Sequence, residues 1–518
     1  MSGLTSLPEA VLKLVMQHVP LRDRLSRCCL VNKKLHAAAL AATQQLELAS
    51  ATLLMPSAHS VPLTSLERAQ SILQWLDLYG QHLTCLKMQG VPQSLLQLPC
   101  PNLQELDLSI GCSVHLGPTA FGQPGVIQGV PKLTRLELSC SFIDVQEGAV
   151  LESLSSLVDL QFLQVQPLRF PFGTYQLGGL SSGTIPRLQR LTYLYVSGLS
   201  VENVVQLVAL SSLKELHLRA NSDQAVGPSS VPGMAFPASL TKLMLLSPVE
   251  AGILSVVPTG LLHLSMPDVV EGPAVGPGSF LSGLGRLHHL NVLFVDGGDG
   301  LKWPPPGPAY SALTVSSSLD SLSIYGNQLP AAVWPFVFPA ARTLPQLTYL
   351  YINNKQAGTG VDPDLPQALG AAELASIISC CPNLCHIALP LQHGPHVSEL
   401  QRLTALTTVV AEYGSDCMSD LETIEQSLLG LAALTCLGYL VMYAHRRDVS
   451  VGSLLPLTSL TALTMLTLDC WPASEKDSET ASEEEDSEGS DLVEPEVTLK
   501  QVCFQLAMRT CRVRSSQD

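Results

Sequence analysis

Aromatic side chains make up only 5% of this 518-residue chain and charged side chains only 14%. The first shortage excludes an interior built on stacked rings and leaves aliphatic side chains to fill it. The second, beside a hydrophobic content of 46%, excludes a disordered chain, which buries too little apolar surface to fold. The fourteen cysteines contain no Cys-x-x-Cys pair and no Cys/His set at zinc spacing. Cys28–Cys29 and Cys380–Cys381 are adjacent pairs, and reduced thiols in an intracellular protein are expected. No run reaches the roughly 18 uncharged apolar residues of a membrane span. Lys13 interrupts the short apolar run at the N-terminus, so no secretory leader is expected, and a cytoplasmic or nuclear location, or both, is the expectation. Glycine-rich phosphate loops, GxSxG elbows and HExxH pairs are missing too. His288–His289 is an isolated pair that reads as surface. Neither a catalytic site, a metal nor a cofactor is expected.

The net charge of −16 is unevenly placed. Between Ser474 and Glu496 there are eleven acids against one base, Lys476, so this stretch supplies about −10 and the remaining body only about −6. With no broad basic surface to neutralise phosphates, nucleic acid is not an expected partner. Ser474–Ser490 alternates serines with acids and lacks long apolar runs, which reads as a disordered segment. Thr480 and Ser482 each have a Glu three residues on, the context that acidophilic kinases favour, although a solubilising loop has the same composition.

What the chain does contain is a repeat. The unit L-x-x-L-x-L recurs clearly at Leu103, Leu133, Leu191, Leu213, Leu240, Leu319, Leu347 and Leu463. Looser copies start at Leu83, Leu160, Leu261, Leu290, Leu384, Leu406 and Leu437. Their first Leu recurs every 20 to 37 residues, about 27 on average. Each unit alternates as a half-buried strand does, and several linkers, such as Val201–Leu210 and Ala371–Ser379, carry apolar spacing that predicts a helical return. Gly/Pro-rich inserts interrupt the register at Gly111–Pro131, Pro167–Pro186 and Asp296–Pro308. The last holds Trp303-Pro304-Pro305-Pro306, read as an extended surface loop.

Over roughly residues 80–470 the sequence resembles the leucine-rich-repeat family. The resemblance implies an α/β solenoid, a horseshoe with a parallel concave sheet. Asn at the family's turn position occurs only at Asn221 and Asn327, so most turns must satisfy their backbone in another way. The x positions face outward on the sheet. They place Phe162, Tyr193, Tyr195, Phe294, Tyr349, Tyr351 and Tyr439 on the concave face as partner-binding candidates. Packing under inserts, or simple strand preference, would account for the same residues. Charged residues at equivalent positions (Glu105/Asp107, Arg135/Glu137 and Lys214/Glu215/His217) are mixed in sign.

Before the repeats, Leu7-Pro8-Glu9 opens a helix in which Val11, Leu12, Leu14, Val15 and Val19 fall at helical spacing, and Pro20 ends it. Asp23, Leu25, Leu30-Val31 and Lys33-Lys34 follow, reading as three short helices. These residues resemble the F-box, departing from its usual pattern at Ala10 and Leu35. The resemblance implies a small bundle that presents apolar side chains to a Skp-type adaptor and, through it, to a cullin ubiquitin ligase. The repeats would then hold an unknown protein substrate. Adaptor contacts implied in this way are Leu7, Pro8, Val11, Val15, Leu25, Leu30 and Val31, some of which must also hold the bundle together. The expected organisation is an F-box-like helical domain at 1–45, a linker or N-terminal cap at 46–82 and the solenoid at 83–472. An acidic disordered segment at 473–496 and a C-terminal helix or cap at 497–518 complete it. A free-standing protein-interaction scaffold is the alternative.

Overall fold

Every one of the fifteen repeat units carries a strand. The computed structural model describes residues 7–19, 33–48, 74–89, 98, 100–110, 130–140, 154–167, 185–199, 204–220, 225–270, 278–296, 303–325, 329, 331–353, 369–391, 399–413, 429–444, 455–470 and 512–514. They fall into two units, Met1–Ser247 with Val256–Pro258, and Pro248–Ser255 with Thr259–Asp518.

In the first unit, helices α1 (Glu9–Gln17) and α2 (Lys33–Ala42) come before the repeats. Pro8 sits at the cap of α1 with an extended backbone, where its missing N–H costs nothing. Its carbonyl accepts the N–H groups of Val11 and Leu12 at 3.1 and 3.0 Å. Leu12 and Met16 of α1 are buried with Leu35, Ala38, Ala39 and Ala42 of α2, and Leu7 and Val19 pack at the edge. The small alanines let the two helices approach closely. The third expected helix, including Leu25, Leu30 and Val31, lies outside the described residues.

The strands of this unit are β1 (Gln45–Leu48), β2 (Cys85–Gln89), β3 (Glu105–Ile110), β4 (Arg135–Cys140), β5 (Phe162–Pro167), β6 (Tyr193–Leu199), β7 (Glu215–Ala220) and β8 (Lys242–Leu245). Each pairs in parallel with the next. The register sets Leu86, Leu106, Leu136, Leu163, Leu194, Leu216 and Leu243 side by side in one buried column. A full burial of this kind stabilises by about 1.5–3 kcal/mol per Leu. The sheet opens at β1, inside the stretch expected to be a linker. Four residues suffice there because Leu46 is buried while Gln45 and Glu47 stay outside.

The second unit carries β9 (Val249–Glu250), β10 (His263–Met266), β11 (Val269–Val270), β12 (Val292–Asp296), β13 (Ser321–Tyr325), β14 (Tyr349–Asn353), β15 (His386–Leu391), β16 (Thr408–Tyr413), β17 (Tyr439–Ala444), β18 (Met465–Cys470) and β19 (Arg512–Arg514). β9 and β11 form a separate parallel pair, and the others pair in chain order. Within the segment expected to be a C-terminal helix or cap, residues 512–514 add a strand beside β18 with Val513 in register with the buried Leu466 and cover a strand edge, while residues 497–511 lie outside the described residues. The acidic stretch between them lies outside the described residues.

Of the two returns expected to be helical, 371–379 is an α-helix, whereas the described part of 201–210 forms a 3-10 turn. Leu154–Ser156, Ile185–Arg187, Val205–Ala209 and Leu455–Ser459 are short 3-10 turns. The reason lies in the spacing. In Leu154-x-x-Leu157-x-x-Leu160-x-x-Leu163 the apolar residue recurs every three positions, and a 3-10 helix has three residues per turn. Each Leu therefore points inward, and i→i−3 bonds such as Leu157 N–H to Leu154 O at 2.9 Å follow. α-Helices form in other returns, among them α3 (Ser279–Leu284), α4 (Trp334–Val337) and α5 (Ala371–Cys380).

The repeat-to-repeat backbone is held by threonine. Thr84, Thr134, Thr192, Thr241, Thr407 and Thr464 each follow the first Leu of a unit. Their hydroxyls donate to the carbonyls of Gln44, Gln104, Gln161, Lys214, Cys385 and Gly438 in the preceding repeat, at 2.9–3.2 Å. The Trp303-Pro304 insert is closed down by Tyr310, whose buried hydroxyl donates to Pro304 O at 2.7 Å while Trp303 packs edge-on against Phe280. Cys100, Cys380 and Cys381 are free thiols buried as small hydrophobes.

Candidate functional site

Strand alternation sends one set of side chains into the Leu columns and the other onto the open face of each sheet. In the first unit, the register aligns Glu105, Arg135, Phe162, Tyr193, Glu215 and Lys242 in one row. Asp107, Glu137, Gln164, Tyr195 and His217 form the next row. These rows produce a continuous stack. The Arg135 guanidinium lies 3.7 Å above the Phe162 ring, and Phe162 stacks on Tyr193 at 4.1 Å with an interplanar angle of 5°. Tyr193 and Tyr195 then meet His217 at 5.3 and 5.6 Å.

Ion pairs bound the stack at both ends. Arg135 Nε and Nη2 donate to Glu137 Oε1 at 2.9 and 2.5 Å. Glu215 Oε1 lies 2.6 Å from His217 Nε2 and 2.6 Å from Lys242 Nζ. Burial works to raise the Glu215 carboxyl, but hydrogen bonds from Lys242 and His217 outweigh it and leave Glu215 below the ordinary carboxylate value. Asp107 behaves in the opposite way: burial, and then the charge of Glu137, push its carboxyl up. A shallow depression of about 250 Å³ opens beside the stack, lined by Lys87, Glu105, Asp107, Arg135 and Glu137 with the buried Cys85 and Leu106.

A depressed carboxyl fixes the sign of one pH effect. The contribution of Glu215 is fully present above the unfolded carboxylate pKa and is lost as pH falls through the lower folded value. With its carboxyl only partly buried, the contribution is modest, on the order of 1 kcal/mol or less. Urea unfolding of wild type and Lys242→Met between neutral pH and pH 3 should converge at the acid end and differ at the neutral end. Curves separated by the same amount at every pH would mean that the pair contributes nothing electrostatic.

The second unit has its own aromatic cluster. Phe294 meets Tyr325 at 4.8 Å, Tyr325 stacks on Tyr351 at 4.5 Å, and Tyr349 meets His386 at 5.8 Å. Ser323 lies between Phe294 and Tyr351 in register and is only 7% exposed. Burial pushes the Tyr325 phenol up, helped by Tyr351. Tyr439 lies in the row of Tyr349 and His386, two strands beyond His386, and is half-buried.

The named sheet residues thus gather into two groups, Phe162/Tyr193/Tyr195 and Phe294/Tyr349/Tyr351, with Tyr439 further along. Tyr325 belongs to the second group and was missed. Continuing the alternation one step past Ile324 would have found it. The partnership of His217 with both tyrosines had no signal in the sequence, because it depends on the register of β6 against β7.

The N-terminal candidates divide along α1. Pro8, Val11 and Val15 are exposed, the latter two at 41% and 37%, whereas Leu7 is partly buried against the helix pair. Leu14, absent from the sequence-derived set, is the most exposed of the stripe at 59%. Among the described residues no His/Cys/Asp/Glu cluster is arranged to hold a metal, and no helix is long and apolar enough to cross a membrane.

The chain matches no family model and no curated protein. It is similar to solved structures of low identity. An internalin from Listeria monocytogenes is 16% identical, with a TM-score of 0.38, covering 77% of this chain and 92% of that one. The PEPR1–AtPEP1 complex is 14% identical, with a TM-score of 0.28, covering 76% of this chain and 60% of that one. Toll in the Drosophila Toll–Spatzle complex is 11% identical, with a TM-score of 0.36, covering 75% and 47%. Strand register, buried Leu columns and three-residue returns establish by themselves that both units of this chain are stacks of leucine-rich repeats.

Proposed function

We propose that this chain is the substrate-recognition subunit of a Skp–cullin–F-box ubiquitin ligase, acting in the cytoplasm or nucleus. Its N-terminal helices dock the adaptor, and the open face of the repeats holds a protein substrate. Other subunits supply the chemistry.

One observation carries the reading. Helix α1 spends Leu12 and Met16 on its contact with α2 yet keeps Val11, Leu14 and Val15 exposed at i, i+3 and i+4 beside the exposed Pro8. An apolar stripe at that spacing is the signature of a helix that inserts into a partner's groove. The helix pair therefore has an inner face that holds it together and an outer face with nothing in this chain's described residues to bury it.

The test is binding between the full chain and a purified Skp-type adaptor, measured by calorimetry. Leu14→Asp with Val15→Asp should weaken binding by about a hundredfold or more, since each buried side chain is worth roughly 1.5–3 kcal/mol. Because both residues are exposed, the circular dichroism melt should not move. A well-folded wild-type chain that shows no saturable binding would remove the ligase reading and leave a free-standing interaction scaffold.

A further inference from the structure

The sheet face of the first unit has a polarity along the chain. On strands β1 to β4 its described side chains bring four carboxylates, Glu47, Glu105, Asp107 and Glu137, against two cations, Lys87 and Arg135. Arg135 is already engaged by Glu137 and by the Phe162 ring. Lys87 lies in register with Asp107 and also lines the depression, where Glu105, Asp107 and Glu137 against Lys87 and Arg135 leave one carboxylate in excess. On β7 and β8 the balance is different, because Glu215 is met by Lys242 and His217. Between these ends lie Phe162 and Tyr193, stacked on one another with Arg135 over the Phe162 ring.

We infer that the open face of β2 to β6 binds a basic polypeptide segment, with an arginine or lysine in the depression beside Glu105 and Asp107 and a neighbouring aromatic or aliphatic side chain against Phe162 and Tyr193. The inference rests on the open face being the substrate face and specifies what that substrate presents. Charge complementarity selects the sign: an acidic segment would add a fourth carboxylate to a depression that already holds Glu105, Asp107 and Glu137 against two cations. The aromatic stack supplies a rigid surface that loses little side-chain entropy on contact. Neither feature suffices separately. Their adjacency on consecutive strands, fixed by a parallel register, is what makes a two-part site.

The probe is a fluorescein-labelled dodecapeptide with arginines alternating with serines around one central tryptophan. Its counterpart carries glutamate in place of every arginine. Fluorescence polarisation on the full chain should give saturable binding of the arginine peptide alone, weakening as salt is raised. Glu105→Gln with Asp107→Asn should reduce it at least tenfold, and the double reversal Glu105→Lys with Asp107→Lys should shift preference to the glutamate peptide. Phe162→Ala should weaken the arginine peptide on the wild-type background and the glutamate peptide on the reversed background alike. All variants are first checked by thermal melting, and by adaptor binding through α1, which the proposal leaves unchanged. Loss of adaptor binding in the wild type would sink the ligase reading without touching this one. Equal binding of both peptides, no binding of either, or chains that pair through this face in sedimentation would overturn the inference.

Discussion

Leu216→Ala should destabilise the first unit by about 2–5 kcal/mol, the range for emptying a buried Leu site that cannot collapse. Leu216 is fully buried in β7 and lies in register with Leu194 on one side and Leu243 on the other. Both neighbours are strand residues whose positions are fixed by ladder hydrogen bonds, so they cannot move in to fill the gap. In a stack of repeats each unit contacts only the next, and the loss should be shared by the adjacent repeats. Hydrogen exchange should therefore accelerate in β6, β7 and β8, while urea unfolding reports the overall loss. The matched control is Val208→Ala, at a residue 49% exposed on the return before the same strand, which should change stability by no more than about 0.5 kcal/mol. Equal effects at the two sites would mean that the Leu column does not hold the stack together.

Gly283→Ala is expected to be destabilising by roughly 1–3 kcal/mol, the usual cost of overpacking. Local propensity argues for the opposite sign, since Ala in place of Gly favours a helix by up to about 1 kcal/mol. Gly283 lies in α3, and a Cβ there would fall 2.5 Å from Leu254 Cβ on the 3-10 turn Ala251–Ser255. The obstructing atom is close to the backbone of Leu254, so a rotamer change cannot relieve it. Packing therefore outweighs propensity. Gly260→Ala, where an added Cβ meets nothing within 4 Å, should be near neutral. A thermal melt that rises for Gly283→Ala would show that the turn yields, and that α3 is less tightly seated than its contacts imply.

The same contrast between local pattern and packing separates what could be read in the sequence from what could not. The helix α1 is an instance. Val11, Leu12, Leu14 and Val15 are all apolar, and such a run has no preferred inner face until a partner helix selects one. The contact with α2 takes Leu12 and Met16 and so leaves Leu14 outside with Val11 and Val15, the two residues of this run that the F-box resemblance implies as adaptor contacts. Thr84, Thr134 and Thr192 make a comparable case. The Leu-Thr doublets were in plain view, but their role as inter-repeat donors depends on the distance to the preceding strand, which no single repeat contains.

By itself, the sequence determined the repeat stack. Period-two alternation specifies strands, a property of neighbouring residues that survives any choice of partner, whereas the apolar spacing of the returns did not by itself separate helix from 3-10 turn. Only the tertiary structure decided which open-face residues act together. The stack of Arg135, Phe162, Tyr193 and His217 joins neighbours that lie 24 to 31 positions apart, and a shift of one residue in register would have turned each of them into the core. Register is set jointly by all the buried Leu columns, so it is a property of the assembled sheet and not of any one repeat.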